Sequence, residues 1–224
     1  MKKIICLLLA LCCTFAMFSC NKDNGNDNGG GNGNEQSSAI AAINSIIGEA
    51  NPTRMVTHVD YKNGEETYKG RYTTEVDRAA NKSIFDFSYQ RLAIPGEDVS
   101  DSHIMTLAGK VYYKDGEVSR NEGANWEAVG AGQGYLEFSV DLSESKLKSY
   151  EFSEDECDLT ATVSKENAIR VFGTDIDCDG DITVTVDTNG EYLYGIKITY
   201  TAKDTGATVV ITTTYDYAAV SLGF

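Results

Sequence analysis

The sequence predicts an α+β domain in which one curved antiparallel sheet, a half-barrel, is covered by one or two helices. The chain contains only two prolines and 13 tyrosines, together with many Thr and Val residues, and this composition favours strands over disorder. Several segments alternate apolar with polar residues and are joined by short turns, which makes neighbouring strands antiparallel. The predicted domain, residues 37–224, is long enough to bury one hydrophobic core.

Residues 1–19 have the layout of a secretory signal peptide. Lys2 and Lys3 are followed by an apolar run, and the small Ser19 directly precedes Cys20. A cysteine at this point resembles the lipobox of bacterial lipoproteins, in which the cysteine is acylated and becomes the mature N-terminus. We therefore expect Cys20 to anchor an extracytoplasmic protein to a membrane through lipid. The alternatives are a plain cleaved signal and a short membrane anchor, although an apolar run of about 15 residues is short for a span of roughly 20.

Residues 20–36 are expected to form the lipidated cysteine and a flexible tether. The stretch from residue 21 onward reads NKDNGNDNGGGNGNEQ and contains almost nothing apolar. Such a stretch has no apolar surface to bury and is predicted to be disordered. The tether would hold the domain clear of the lipid surface.

One longer and one shorter helix are predicted. Ser37 or Ser38 can cap the first, which is expected to end before Pro52. Four isoleucines recur within it at helical spacing: Ile40, Ile43, Ile46 and Ile47. The second helix is predicted over residues 165–172 and ends at Gly173.

Period-two alternation predicts the strands of the sheet. Asn63-Gly64 gives a strong hairpin signal directly after the first strand. The predicted strands are residues 55–61, 85–89, 104–113, 136–142, 182–186, 192–200 and 209–217. Short turns at Asp115-Gly116 and Asn189-Gly190 join neighbours directly, as in an antiparallel meander.

Three features resemble the LolA/LppX-like periplasmic and cell-surface lipoproteins. The first is the order of tether, helix and sheet. The second is the block MTLAGKVYYKDGEVSRNEGANWEAV at residues 105–129, and the third is the ending DGDITVTVDTNGEYLYGIKITYTAKDTGATVVITTTYDY at residues 179–217. In that family a curved sheet and a covering helix enclose an apolar cavity that takes lipid or acyl chains.

The resemblance implies such a cavity between the first helix and the sheet, whereas periodicity alone implies only a core. Its expected lining is Ile40, Ile43, Ile47, Met55, Val59, Phe85 and Phe87. The preferred function is then a non-catalytic binding or carrier module for a hydrophobic or lipid ligand. The alternative is a structural or adhesive cell-surface protein, whose interior can be packed solid.

The charge of the chain limits its partners. Its formal net charge is −15. Cleavage of the predicted signal peptide would remove two lysines and no acidic residue, so the mature chain is expected to be more acidic still. Such a surface repels nucleic acid and anionic headgroups. We expect no nucleic acid partner, attachment to the membrane through lipid alone, and a monomer.

Two cysteines, Cys157 and Cys178, lie in the predicted domain. A pair in an exported protein suggests a disulfide, which would close a loop of about 21 residues and stabilise the fold by roughly 3 kcal/mol. The alternative is two separate buried thiols.

One acidic segment matches the first half of a calcium-binding loop. Asp175, Asp177 and Asp179 occupy positions 1, 3 and 5, and Gly180 follows at position 6. Asp181 adds a further carboxylate, but position 12 carries valine rather than glutamate. The alternative is a solvated acidic turn, and no other cofactor is expected.

No residue pattern indicates catalysis. The two histidines, His58 and His103, have no nucleophile motif nearby, and metal-binding spacings such as C-x-x-C are absent from the sequence. Paired acids such as Glu65-Glu66 occur in polar turns, where solvated charge is the usual outcome. We therefore expect no enzyme activity.

Three tyrosines, Tyr192, Tyr194 and Tyr200, are predicted to share one face of a strand. Such a row can bind sugars or hydrophobic ligands, but it is more often a half-buried sheet face under a helix.

Overall fold

The computed structural model describes residues 32–92, 106–123, 140–153, 157–174 and 176–224. Their secondary structure is one long helix, one short helix and ten strands in a single sheet. The predicted signal peptide, Cys20 and most of the tether lie outside the described residues. None of the described helices combines the length and apolar composition that a bilayer crossing requires.

The first half of the domain is a helix followed by a five-stranded meander. The helix α1 spans Asn32–Glu49. The strands are β1 (Arg54–Asn63), β2 (Glu66–Asp77), β3 (Lys82–Leu92), β4 (Thr106–Lys114) and β5 (Glu117–Gly123). Helix α1 begins before the predicted caps Ser37 and Ser38, so residues 32–36 of the predicted tether are helical. The Asn63-Gly64 hairpin is confirmed, since β1 and β2 pair from Asn63 opposite Glu66.

The second half is a second meander with a short helix. Its strands are β6 (Ser149–Phe152), β7 (Leu159–Val163), β8 (Ile182–Thr188), β9 (Leu193–Thr201) and β10 (Thr208–Asp216). A 3-10 turn at Lys165–Asn167 leads into α2, Ala168–Phe172. Gly173 follows α2 with φ of 68°, a left-handed conformation that suits glycine and ends the helix as predicted.

The two meanders join through the first and last strands. The sheet order is β5-β4-β3-β2-β1-β10-β9-β8-β7-β6, and every pair is antiparallel. The sheet is curved and unclosed, with β5 and β6 as its two edges. The predicted α+β half-barrel is therefore confirmed.

The concave face carries the core, and α1 packs against it. Ile43 and Ile47 of α1 belong to the same buried cluster as Val59 of β1, Ile211 of β10 and Ile198 of β9. Side chains on the opposite, convex face are mainly polar, and cross-strand ion pairs such as Lys69–Asp60 and Lys110–Asp86 lie there. One face of the antiparallel sheet is thus buried and the other solvated.

Residues 136–142 do not bear out the predicted strand where the structure describes them. Residues 140–142 have no strand pairing, although Val140 and Leu142 are buried in the core. The backbone N–H of Leu142 donates to Asn44 Oδ1 of α1 at 2.9 Å. Val140 and Leu142 therefore pack beneath the helix in an irregular segment.

Candidate ligand-binding face

The predicted cavity residues lie together on the concave side of the half-barrel. Six of them are buried: Ile40, Ile43, Ile47, Val59, Phe85 and Phe87. Met55 is half-buried and packs against the same core. Because β1, β2 and β3 are in register, their inward positions form rows across the sheet, such as Met55 opposite Thr74 and Thr74 opposite Phe85.

Two aromatic rings of this face lie over glycines, which leave room for them because they have no side chain. The ring of Phe87 lies over Gly109 of β4, where a Cβ would stand 2.7 Å from Phe87 Cζ. The ring of Tyr72 lies over Gly70 of its own strand, with Cε2 at 3.1 Å from the corresponding position. A glycine inside a strand often marks such a close approach. Phe87 is 1% exposed, so its ring is locked inside the core.

The aromatic face ends in a group that we call the Tyr–Arg cluster: Tyr61, Tyr68, Tyr89 and Arg91. Tyr61, Tyr68 and Arg91 are direct partners across β1, β2 and β3. The Tyr61 and Tyr68 rings meet edge to face at 5.6 Å, and Tyr68 stacks on Tyr89 at 5.9 Å. Tyr68 and Tyr89 are half-buried, so the cluster lies where the core meets solvent.

The electrostatics of the cluster combine burial with one positive charge. Burial raises the pKa of Tyr89 to about 12, with a smaller effect from Tyr68. Burial also raises the pKa of Tyr68, and Glu66 adds to that shift whereas the charge of Arg91 opposes it. Tyr68 and Tyr89 are therefore protonated at neutral pH, so they offer hydroxyl groups and aromatic surface beside the guanidinium.

Sequence reasoning missed Arg91, although a signal was present. Phe85, Phe87, Tyr89 and Arg91 occur at every second position of β3, and the first three are aromatic. A basic residue that continues an apolar alternation is therefore placed on the inward face. Arg91 is only 9% exposed, which is unusual for arginine.

The predicted disulfide is wrong for this fold, because its two cysteines lie at opposite ends of β8. Cys157 is next to the C-terminal end, where its carbonyl oxygen accepts from Thr188 Oγ1. Cys178 precedes the N-terminal end, where its backbone forms an isolated antiparallel β-bridge with Ala202. Seven residues of strand span about 20 Å, far beyond the Cα separation of about 7 Å that a disulfide allows. The two sulfurs are accordingly not bonded to each other.

Alkylation of the folded protein without reductant is expected to modify Cys157 rapidly and Cys178 only on unfolding. Cys157 is half-buried, whereas Cys178 is completely buried with its Sγ 3.6 Å from the carbonyl oxygen of Gly180. Intact-mass analysis after a timed reaction measures both steps, and Cys157→Ser serves as the control that should remove the fast step. A native mass two hydrogens low, with no reaction before reduction, would contradict the assignment.

The carboxylates of the acidic segment predicted to bind calcium do not converge on one point in the part of the chain that the structure describes. Asp175 lies outside the described residues. Asp181 pairs with Lys148 at 2.6 Å, and Asp177 lies 3.9 Å from Lys203. Among the described residues, no group of three or more His, Cys, Asp and Glu side chains is placed to hold a metal ion.

The predicted row of tyrosines is wrong, because a register shift at Asp187/Thr188 interrupts the β8–β9 pairing. Tyr200 is buried in the core, and burial raises its pKa to about 12. Tyr192 and Tyr194, beyond the shift, are 42% and 44% exposed. The Tyr192 ring lies 5.2 Å from that of Tyr217, and Asn189 Nδ2 donates to the Tyr194 hydroxyl.

No protein-family model and no curated protein matches the chain. A matching solved structure is a hypothetical protein from Chlamydia trachomatis, 9% identical, with a TM-score of 0.30 and coverage of 83% of this chain and 97% of that one. Another is a DUF1329 family protein from Desulfovibrio piger, 11% identical, with a TM-score of 0.24 and coverage of 84% and 94%. An N-terminal dehydratase from the difficidin assembly line is 9% identical, with a TM-score of 0.19 and coverage of 83% and 84%. At these TM-scores the likenesses carry no argument about function, which must be argued from the geometry of the concave face.

Proposed function

We propose that the protein is a lipid-anchored, extracytoplasmic binding or carrier module that holds a hydrophobic ligand on the concave face of its half-barrel without chemistry. The observation that carries this proposal is the contrast between the two faces of one open sheet. The concave face is apolar and aromatic over both meanders, while the convex face is mainly polar. An open sheet with a single long helix on its apolar face resembles the concave, mainly apolar sites that bind small molecules.

Helix α1 is the element that would admit the ligand. Its isoleucines Ile43 and Ile47 cover the sheet, and the helix is followed directly by β1 through residues 50–53. A hydrogen bond from the backbone N–H of Leu142 to the side chain of Asn44 joins α1 to the irregular segment at residues 140–142. Because the isoleucines of α1 hold it on the sheet through apolar contacts, an outward shift of the helix would leave the hydrogen bonds between the strands intact and would give a hydrophobic ligand access to the sheet.

The anchor and the ligand can be tested with one variant. Cys20→Ser is expected to release the protein from membranes, because acylation requires the thiol. Native mass spectrometry of the released chain is expected to show a co-purified lipid, and an apolar fluorescent probe is expected to bind after that lipid is extracted. A Cys20→Ser protein that stays on the membrane would contradict the anchor, and a chain that binds neither lipid nor probe would contradict the carrier function.

A second candidate function is adhesion, and the exposed tyrosines favour it. Tyr192 and Tyr194 present aromatic surface outside the core, next to Tyr217 and Asn189. Aromatic side chains with adjacent hydrogen-bonding groups are common at interfaces with macromolecules. Under this alternative, Tyr192→Ala with Tyr194→Ala would abolish partner binding, while probe binding to the concave face would be absent in the wild type as well.

A further inference from the structure

We propose that Tyr192, Tyr194 and Tyr217, which we call the hairpin tyrosines, form a binding site for a quaternary ammonium group of the choline type. This inference rests on the second candidate function, adhesion, and identifies the partner by the chemical group that it would display. It does not depend on the carrier function, because Tyr192 and Tyr194 lie outside the core.

The hairpin tyrosines bring aromatic rings together at one place. The rings of Tyr192 and Tyr217 lie 5.2 Å apart and are inclined at 58° to each other. Glu191 is the main cause of the raised pKa of Tyr192, and burial is the main cause for Tyr217, but Tyr194 adds to both shifts and so lies close to the other two. The face of an aromatic ring attracts a cation that lies within about 6 Å of the ring centroid. One cation can satisfy that distance for Tyr192 and Tyr217 together.

Hydrogen bonds hold the hairpin tyrosines in place. Asn189 Oδ1 accepts from the backbone N–H of Tyr192 at 2.8 Å, and Asn189 Nδ2 donates to the Tyr194 hydroxyl at 3.0 Å. The Tyr217 hydroxyl donates to the carbonyl oxygen of Leu193 at 2.9 Å. Rings that are already positioned lose little conformational entropy when a ligand binds. Because the hydroxyls of Tyr194 and Tyr217 are bonded within the protein, these side chains offer a ligand mainly their ring faces.

The local charge favours a cation. Asp187 and Glu191 are the charged residues of the segment 187–195, and both are acidic. The Glu191 carboxylate lies beside the Tyr192 hydroxyl, and its hydrogen bond and its charge raise the pKa of that tyrosine. The chain as a whole attracts cations through its formal net charge of −15. A primary ammonium is strongly hydrated and needs hydrogen-bond acceptors, whereas a quaternary ammonium has no N–H to donate and suits ring faces.

The test compares choline with 3,3-dimethylbutan-1-ol, in which an uncharged carbon replaces the ammonium nitrogen, by NMR titration of the full chain carrying Cys20→Ser. This parent chain is expected to bind choline about fivefold more tightly than the isostere or better, because two ring faces attract only the charged probe. Tyr192→Leu removes one ring and is expected to lose most of the preference. Tyr192→Phe keeps the ring and is expected to keep the preference, while Glu191→Gln is expected to weaken the binding of choline but not that of the isostere.

Two further probes define the ligand. Ethanolamine carries a primary ammonium on the same two-carbon alcohol as choline, and we expect it to bind more weakly because it is more strongly hydrated. Phosphocholine is also expected to bind more weakly, because Glu191 and Asp187 would oppose its phosphate. This second comparison distinguishes a choline group on an uncharged carrier from the head group of a phosphocholine lipid. Tighter binding of either probe than of choline would contradict the assignment.

The outcomes separate this inference from the function on which it rests. Equal affinities of the parent chain for choline and its isostere, or an unchanged preference in Tyr192→Leu, overturn the inference. Circular dichroism checks that the variants are folded, and both substituted positions are exposed. If choline binds as expected but Tyr192→Ala with Tyr194→Ala leaves partner binding unchanged, the adhesive function fails and the site stands. If that double variant abolishes partner binding but the parent chain does not bind choline, the inference alone fails.

Discussion

Gly109→Ala is expected to destabilise the domain by about 2–3 kcal/mol, near the top of the range for overpacking a core. The new Cβ would stand 2.7 Å from Phe87 Cζ and 3.2 Å from the carbonyl oxygen of Glu122. The Phe87 ring has no room to move, since it is 1% exposed and lies 5.8 Å from Phe85 in a stacked pair. Urea unfolding followed by circular dichroism measures the loss.

The matched control for this change is Gly195→Ala in β9. Its Cβ would meet no atom closer than 3.5 Å. The free energy of unfolding is therefore expected to change by less than about 0.5 kcal/mol, or to rise because alanine lowers the conformational entropy of the unfolded chain. Phe87→Leu removes the atom that clashes and should lessen the effect of Gly109→Ala in a double-mutant cycle. Equal effects at Gly109 and Gly195, or additive effects in the cycle, would contradict the close approach of ring and glycine.

Asn44→Ala is expected to cost about 1–3 kcal/mol, because it leaves the buried N–H of Leu142 without its acceptor. Asn44 Oδ1 lies 2.9 Å from that nitrogen, and Leu142 is completely buried. The same variant should release α1 from the segment beneath it and so speed the entry of an apolar probe. Chemical unfolding and stopped-flow probe binding measure the two effects.

Two neighbouring variants serve as controls for Asn44. Asn44→Asp keeps an acceptor oxygen in the same place and should lose less stability than the alanine variant. Ser45→Ala removes an exposed hydrogen bond to Glu49 within the same helix and should change stability by less than about 0.5 kcal/mol. An Asn44→Ala variant as stable as Ser45→Ala would show that α1 is held by its isoleucines alone.

The fold class could be predicted from the sequence because its signals are local. Period-two alternation at Met55, Thr57, Val59 and Tyr61 marks the inward face of β1, and Asn63-Gly64 fixes the hairpin to β2. The isoleucines of α1 mark its buried stripe in the same way. Strand β6 was missed because it is short and its inward residues, Tyr150 and Phe152, are only half-buried. The start of α1 was misplaced because five polar and glycine residues of the tether join the helix.

The predictions that were wrong at the candidate sites concern how residues from different parts of the chain lie in space, which the alternation of residues along one strand cannot show. Spacing along the chain gave a plausible loop between Cys157 and Cys178, but only the pairing of β7 with β8 shows that they lie at opposite ends of a strand. A single register shift separates Tyr192 and Tyr194 from Tyr200. Arg91, by contrast, was accessible to sequence reasoning, since it continues the aromatic alternation of β3.

The pairing of β1 with β10 has a consequence for how the protein folds. Thr57 and Thr213 share a buried hydroxyl hydrogen bond although they are 156 residues apart in the chain. Contacts of such high sequence separation slow folding, because the entropy of closing the loop is lost before the contacts form. Until β10 arrives, the first meander has an unpaired β1 edge and an uncovered half of its apolar face, both of which promote aggregation. A chain threaded across a membrane from its N-terminus, as the proposed lipid anchor requires, would complete its central sheet only when nearly all of it had emerged, and the first meander would need to be shielded during that interval.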